Sequence, residues 1–154
     1  MGKILVYYGS KERAAEPKIR RTKYIKDFSW GFYCTTIKKQ AEKWATRIAG
    51  KGYVNIFEYQ EKEELKIKVF EELSNEWLDF VVDCRSGNVH DFDIVEGPMA
   101  DDTIYNYVED YISGEIEREA FMELVKFKKP TRQISFHTIK ALSCLKFIDS
   151  EEVL

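Results

Sequence analysis

Apolar stretches with the two-residue alternation of strands and apolar stretches with helical spacing succeed one another in this chain without a regular strand–helix–strand rhythm. That order constrains the fold more than any single motif does. A doubly wound parallel sheet needs the rhythm, because each crossover helix must return the chain to the next parallel strand. Its absence predicts an α+β domain. The 154 residues, 44% of them hydrophobic, suffice for one core, so residues 1–154 read as a single domain.

Strands are predicted at Ile4–Tyr8, closed by Gly9-Ser10, at Tyr53–Tyr59, and over Leu65, Ile67 and Val69, which alternate with Lys66 and Lys68. Further strands are predicted at Phe92–Val95, stopped by Gly97-Pro98, at Gln133–His137 and at Leu145–Ile148. The clearest helix runs from Thr36 to Ala49, with Ile37, Ala41, Trp44, Ala45 and Ile48 on one face and Gly50 and Gly52 ending it. A second, capped by Ser74 or Asn75, runs to Cys84 and buries Trp77, Leu78 and Val81. A third, Asp102–Ile112, buries Ile104, Tyr107, Val108 and Tyr111 and is broken by Gly114. A fourth, Glu115–Phe127, buries Ile116, Ala120, Leu124 and Val125 before Pro130. Thr138–Leu145 reads as a short helix or turn, and Lys11–Lys26, polar with Pro17 inside it, as a loop.

Between that loop and the first helix lies Asp27-Phe28-Ser29-Trp30-Gly31-Phe32-Tyr33-Cys34-Thr35. Four aromatics crowd a glycine that lets the backbone turn or approach a ligand closely. Phe32 and Tyr33 alternate as strand residues, so one is expected to face a core and the other a cleft. Thr35 or Thr36 is the expected helix cap.

Charged residues make up 33% of the chain, and the net charge of −3 argues against a dedicated nucleic-acid binder. Lys18, Arg20, Arg21, Lys23 and Lys26 form a basic run, read either as a solvated loop or as the lining of a phosphate-binding cleft. Three widely spaced cysteines, Cys34, Cys84 and Cys144, give neither a zinc spacing nor a disulfide framework, which fits a reduced cytoplasmic setting. The N-terminal residues do not read as a signal peptide, and no apolar run is long enough to span a bilayer. There is no phosphate loop, dinucleotide glycine fingerprint or zinc-protease signature. His137 reads as a core-edge residue and His90 as an exposed turn residue.

Three segments in order carry a resemblance: Val6-Tyr7-Tyr8-Gly9-Ser10, then Gly31-Phe32-Tyr33-Cys34-Thr35 with Trp44 in its helix, then Gln133-Ile134-Ser135-Phe136. This order resembles the ADP-ribosyltransferase superfamily, in the branch of diphtheria toxin and the poly(ADP-ribose) polymerases. With Asp27-Phe28, Gly97-Pro98-Met99-Ala100-Asp101-Asp102 and Lys140-Ala141-Leu142, the chain is similar to the bacterial domain-of-unknown-function family 3990 within that superfamily. The resemblance implies two small mixed or antiparallel sheets forming an NAD cleft flanked by helices. It also implies that NAD is the substrate, with no metal. Gly9 and Ser10 would anchor the nicotinamide, and Tyr33 and Trp44 would sandwich its cationic ring, as aromatic faces do. Phe28, Gly31, Phe32 and Thr35 would complete the cofactor-binding set. Tyr8, Tyr33 and Gln133 would be catalytic. Charge and position, apart from the resemblance, put Arg20, Arg21 or Lys23 at the pyrophosphate.

Two positions depart from the superfamily pattern. Tyr8 stands where the superfamily has histidine, and Gln133 stands where it has a late-strand glutamate. An amide holds a ribose hydroxyl but brings no charge to oppose an oxocarbenium ion. Two expectations follow. The first is a mono-ADP-ribosyltransferase, the toxin of a bacterial toxin–antitoxin pair, acting on a macromolecular acceptor. The second is a catalytically degenerate NAD- or ADP-ribose-binding or protein-interaction module of the same fold.

Overall fold

The computed structural model describes residues 3–20, 26–47, 50–100 and 102–154. Three antiparallel strands, β1 (Ile4–Ser10), β3 (Gly52–Tyr59) and β7 (Leu145–Val153), form one sheet in the order β1–β3–β7. A second sheet takes β2 (Phe32–Cys34), β6 (Arg132–Phe136), β5 (Ile94–Pro98) and β4 (Ile67–Val69) in that order. It is mixed, because β4 pairs parallel to β5 while the other pairs are antiparallel. The sheets meet where Tyr7 of β1 and Thr35 just after β2 exchange backbone hydrogen bonds of 2.8 and 3.0 Å.

Strand alternation sorts the core into layers. Val6, Phe57 and Tyr59 of the first sheet pack against Phe32, Ile94, Ile134 and Phe136 of the second. The other face of the second sheet, carrying Tyr33 and Val95, is covered by three helices. These are α2 (Asn75–Arg85), α3 (Asp102–Ile112) and α4 (Arg118–Val125), which contribute Trp77, Leu78, Val81, Ile104, Val108 and Phe121. α1 (Lys38–Ala45) covers the outer face of the first sheet, and α5 (Ile139–Leu142) is a single turn capped by Thr138. Among the described residues no helix is long and apolar enough to cross a membrane.

Several predicted boundaries move, each for a local reason. Gly9-Ser10 continue β1, since Gly9 pairs with Val54 and lies flush against α1; a Cβ there would stand 2.2 Å from the Ala41 carbonyl oxygen. Gly97-Pro98 continue β5 opposite Gln133 and Arg132, with the missing proline N–H falling at the strand end. α1 starts after Ile37, which makes no side-chain cap; the Thr35 hydroxyl instead accepts from Ile37 N–H at 3.1 Å. Ile48 and Ala49 lie outside the described residues. α4 begins only at Arg118, because Glu115 and Ile116 N–H close on the Asp110 carbonyl behind Gly114, whose φ is 84°. That resets its phase: Phe121 and Val125 are buried, while Ala120 and Leu124 face out.

Candidate functional site

The loop Asp27–Gly31 is held at almost every residue. The Asp27 carboxylate accepts from Arg85 Nη2 at 2.6 Å, from Ala100 N–H at 2.9 Å and from Gln133 Nε2 at 3.1 Å. Arg85 also donates to Glu109 at 2.8 Å and lies 4.3 Å from the Tyr105 ring centroid. Burial pulls the guanidinium pKa down, but the Asp27 and Glu109 carboxylates outweigh it and leave it raised. Arg85 Nε is buried without a partner. Phe28 N–H donates to the Tyr33 hydroxyl, which donates in turn to the Ser29 carbonyl at 2.5 Å. Ser29 itself adopts φ 76°, a left-handed conformation that favours glycine.

Two histidines grip the same loop. His90 Nδ1 accepts from Phe92 N–H, so the ring proton sits on Nε2 and is donated to the Phe28 carbonyl at 2.9 Å. His137 Nδ1 donates to the Trp30 carbonyl at 2.8 Å, and its Nε2 meets the Ser135 hydroxyl at 2.7 Å. The imidazoles are 4.4 Å apart, edge to face. Burial, with the neighbouring His90, lowers the His137 pKa to about 4, and burial lowers that of His90. Gly31 is required here, since a Cβ would lie 2.8 Å from His137 Nδ1. His90 is therefore not an exposed turn residue but a half-buried latch against Phe80 and Phe92.

Residues 4–147 match the model of a family described as "Protein of unknown function (DUF3990)". The chain belongs to this family. No curated protein matches it. The DUF3990 match opens on the first residue of β1 and closes inside β7, so it takes in both sheets and all five described helices.

Pairing registers place the expected site residues of this DUF3990 chain on two sides. The Tyr7–Thr35 bridge sets Tyr7 and Gly9 on the side of Thr35 and Tyr33. Ser135 lies opposite Tyr33, and Gln133 shares its side. Trp44, half-buried on α1, borders Gly9, since a Cβ on the glycine would lie 3.0 Å from Trp44 Cβ. Gly9, Tyr33, Thr35, Trp44 and Gln133 thus share one side of the sheet junction. Tyr8 and Phe32 are on the other, their rings 4.3 Å apart in the layer between the sheets. Burial raises the Tyr8 phenol pKa despite its hydrogen bond with Arg20.

Neither β2 aromatic faces an open cleft: Phe32 is buried in one core and Tyr33 in the other. Phe28 is fully buried, its ring stacked 6.5 Å from that of Tyr33. No ring contact joins Tyr33 to Trp44 among the described residues. Lys26 Nζ instead sits 5.5 Å from the centroid of the Tyr33 ring. Desolvation and the nearby Arg47 charge lower the Lys26 pKa. Burial, then the Asp27 charge, holds the Tyr33 phenol well above its ordinary range. The Ser10 hydroxyl donates to the Glu12 carbonyl and accepts from Asn55 Nδ2 at 2.8 Å. Arg20 bridges to Gly31, while Arg21 and Lys23 lie outside the described residues.

Asp27 was visible in the sequence only as a motif residue, and Arg85 and Asn55 gave no signal there. Arg85 is the last residue of an amphipathic helix, where a cation reads as a dipole complement. Asn55 sits mid-strand, and its full burial there shows only in the structure.

Proposed function

We propose that this chain is an NAD-dependent mono-ADP-ribosyltransferase of the ADP-ribosyltransferase-like superfamily, with a macromolecular acceptor and an antitoxin protein as its partner. One observation carries the reading: Gly9, Tyr33, Trp44 and Gln133 fall on one side of the sheet junction, in the order the superfamily resemblance calls for. The cation already over the Tyr33 face supports it, because a nicotinamide ring carries the same charge to the same kind of surface. NAD would displace Lys26 from that face, and the Gln133 amide would hold a ribose hydroxyl.

A second reading, NAD or ADP-ribose binding without turnover, has its own support. The carboxylate beside Gln133 is that of Asp27, and it is engaged by Arg85, Ala100 N–H and Gln133 itself. A carboxylate so occupied offers little to a developing oxocarbenium ion, and loss of one preorganised electrostatic group costs about 10²–10³ in rate.

The test is NAD consumption and NAD binding by the purified protein, with and without cell lysate, comparing wild type with Trp44→Ala and Gln133→Ala. Turnover lost in Gln133→Ala supports transfer. Binding without turnover, weakened by Trp44→Ala, leaves the second reading. A folded protein with no NAD binding overturns both.

A further inference from the structure

The surface beyond the end of α4 lies outside the NAD reading. After Val125 the chain runs Lys126-Phe127-Lys128-Lys129, all exposed, with Phe127 at 86%. Lys126 Nζ lies 5.6 Å from the Phe127 ring centroid. Lys128 and Lys129 have no carboxylate partner among the described residues.

Beside this segment lies a groove of about 420 Å³. Leu73, Met122 and Val125 give its lining apolar side chains, and Lys126, Lys128, Lys129 and Arg132 share that lining with Glu71 and Glu72. A volume of this order takes one or two large side chains. Lys126, Lys128 and Lys129 complement carboxylates. Glu71 and Glu72 in the same lining, on a chain of net charge −3, oppose a continuous polyanion. A protein segment, unlike a nucleic-acid strand, can confine its acids to the residues that meet the lysines.

We infer that this groove docks a segment of a partner protein, one that seats an apolar side chain against Leu73, Met122 and Val125 and turns acidic residues toward Lys126, Lys128 and Lys129. This surface is independent of the NAD site and stands whether or not NAD binds.

The probe is a fluorescein-labelled synthetic peptide of leucine and glutamate at helical spacing, with a second peptide in which every glutamate is lysine. Fluorescence anisotropy at low salt is expected to show saturable binding of the acidic peptide. The double variant Lys128→Glu, Lys129→Glu should weaken it about tenfold or more and bind the lysine peptide instead. Both positions are exposed, and unchanged circular dichroism and melting temperature verify the fold. Equal affinity of wild type and the double variant overturns the inference, as does an acidic peptide that fails to bind wild type. So does labelled oligo(dT) that binds as tightly and displaces the peptide, since that outcome makes the surface a nucleic-acid site.

Discussion

Asn55 and Asp27 do the same job on the two sheets by different chemistry. Each is buried, and each ties a loop to strands. Asn55 is fully enclosed in the central strand β3 and makes four hydrogen bonds. Its Oδ1 accepts from Ala14 N–H and the Ser150 hydroxyl, and its Nδ2 donates to the Tyr8 carbonyl and the Ser10 hydroxyl. That uses the whole capacity of an amide with no charge to neutralise. Asp27 is a carboxylate and needs a cation, so Arg85 is buried with it, both side chains 9% exposed, and Arg85 Nε is left without a partner. The neutral hub closes its own account of donors and acceptors, while the charged hub depends on residues from α2, β6 and the segment before α3 holding together. The loop that carries the candidate site is tied to the more conditional of the two.

The largest effect expected from breaking this contrast is at Asp27. Asp27→Ala leaves Arg85 buried beside only the exposed Glu109 and should cost about 3–5 kcal/mol in urea unfolding. Replacing both partners, Asp27→Asn with Arg85→Met, should cost less than Asp27→Ala alone, because no unpaired charge remains. If the double variant is the less stable of the two, Asp27 and Arg85 do not act as a pair.

Acid should act on the Asp27 side and spare the other. The two histidines that hold the Phe28 and Trp30 carbonyls have pKa values below the ordinary 6.5, that of His137 at about 4. The fold therefore binds fewer protons than the unfolded chain. The contribution of His137 is complete above pH 6.5, declines as pH falls, and is gone by about pH 4. Over that window it amounts to at most about 3 kcal/mol. Unfolding free energies across the window should slope for wild type and flatten for His137→Asn. A variant that keeps the full slope would place the proton uptake elsewhere. No titratable side chain hydrogen-bonds to Asn55 itself among the described residues, so Asn55 adds nothing to that slope.

Asn55→Ala should cost less, about 2 kcal/mol. The half-buried Ala14 N–H and Tyr8 carbonyl and the buried Ser150 hydroxyl lose their bonds, but no charge is stranded. A cost above that of Asp27→Ala, measured under the same conditions, would reverse the ranking of the two hubs.

The same contrast explains what the chain disclosed in advance. Period and stop signals gave nearly every element, because Trp77, Leu78 and Val81 or Ile104 and Val108 can bury together only on a helix. The fold class followed from their irregular order. Phase failed in α4, where a backbone closure behind Gly114, not apolar spacing, decides the first helical residue. The polar hubs were not legible, because Asp27, Arg85 and Gln133 are separated by most of the chain, and each taken alone reads as a surface residue. Gln133 could be picked out only through the superfamily resemblance, and that resemblance did not name its partner Asp27.

The smallest effect should be a gain, and it tests whether the loop is strained as well as gripped. Ser29 is the described non-glycine residue with positive φ, at 76°, and it is 5% exposed. Its backbone cannot relax: Ser29 N–H donates to the Lys26 carbonyl, and the Ser29 carbonyl accepts from Tyr33. A left-handed L-residue costs about 1–2 kcal/mol in the fold. Glycine removes that cost but gives the unfolded chain more freedom, which returns about 0.4–1 kcal/mol. Ser29→Gly should therefore stabilise the protein by a little under 1 kcal/mol. The Asp27 grip stays intact in that variant, so the gain should persist in the Asp27→Ala background only if the loop keeps its path without the carboxylate. Additive effects of the two substitutions would mean that the histidines and Tyr33 alone fix the loop. A gain that vanishes with Asp27 would mean that the charged hub imposes the left-handed turn, tying strain at Ser29 to the Asp27–Arg85 pair.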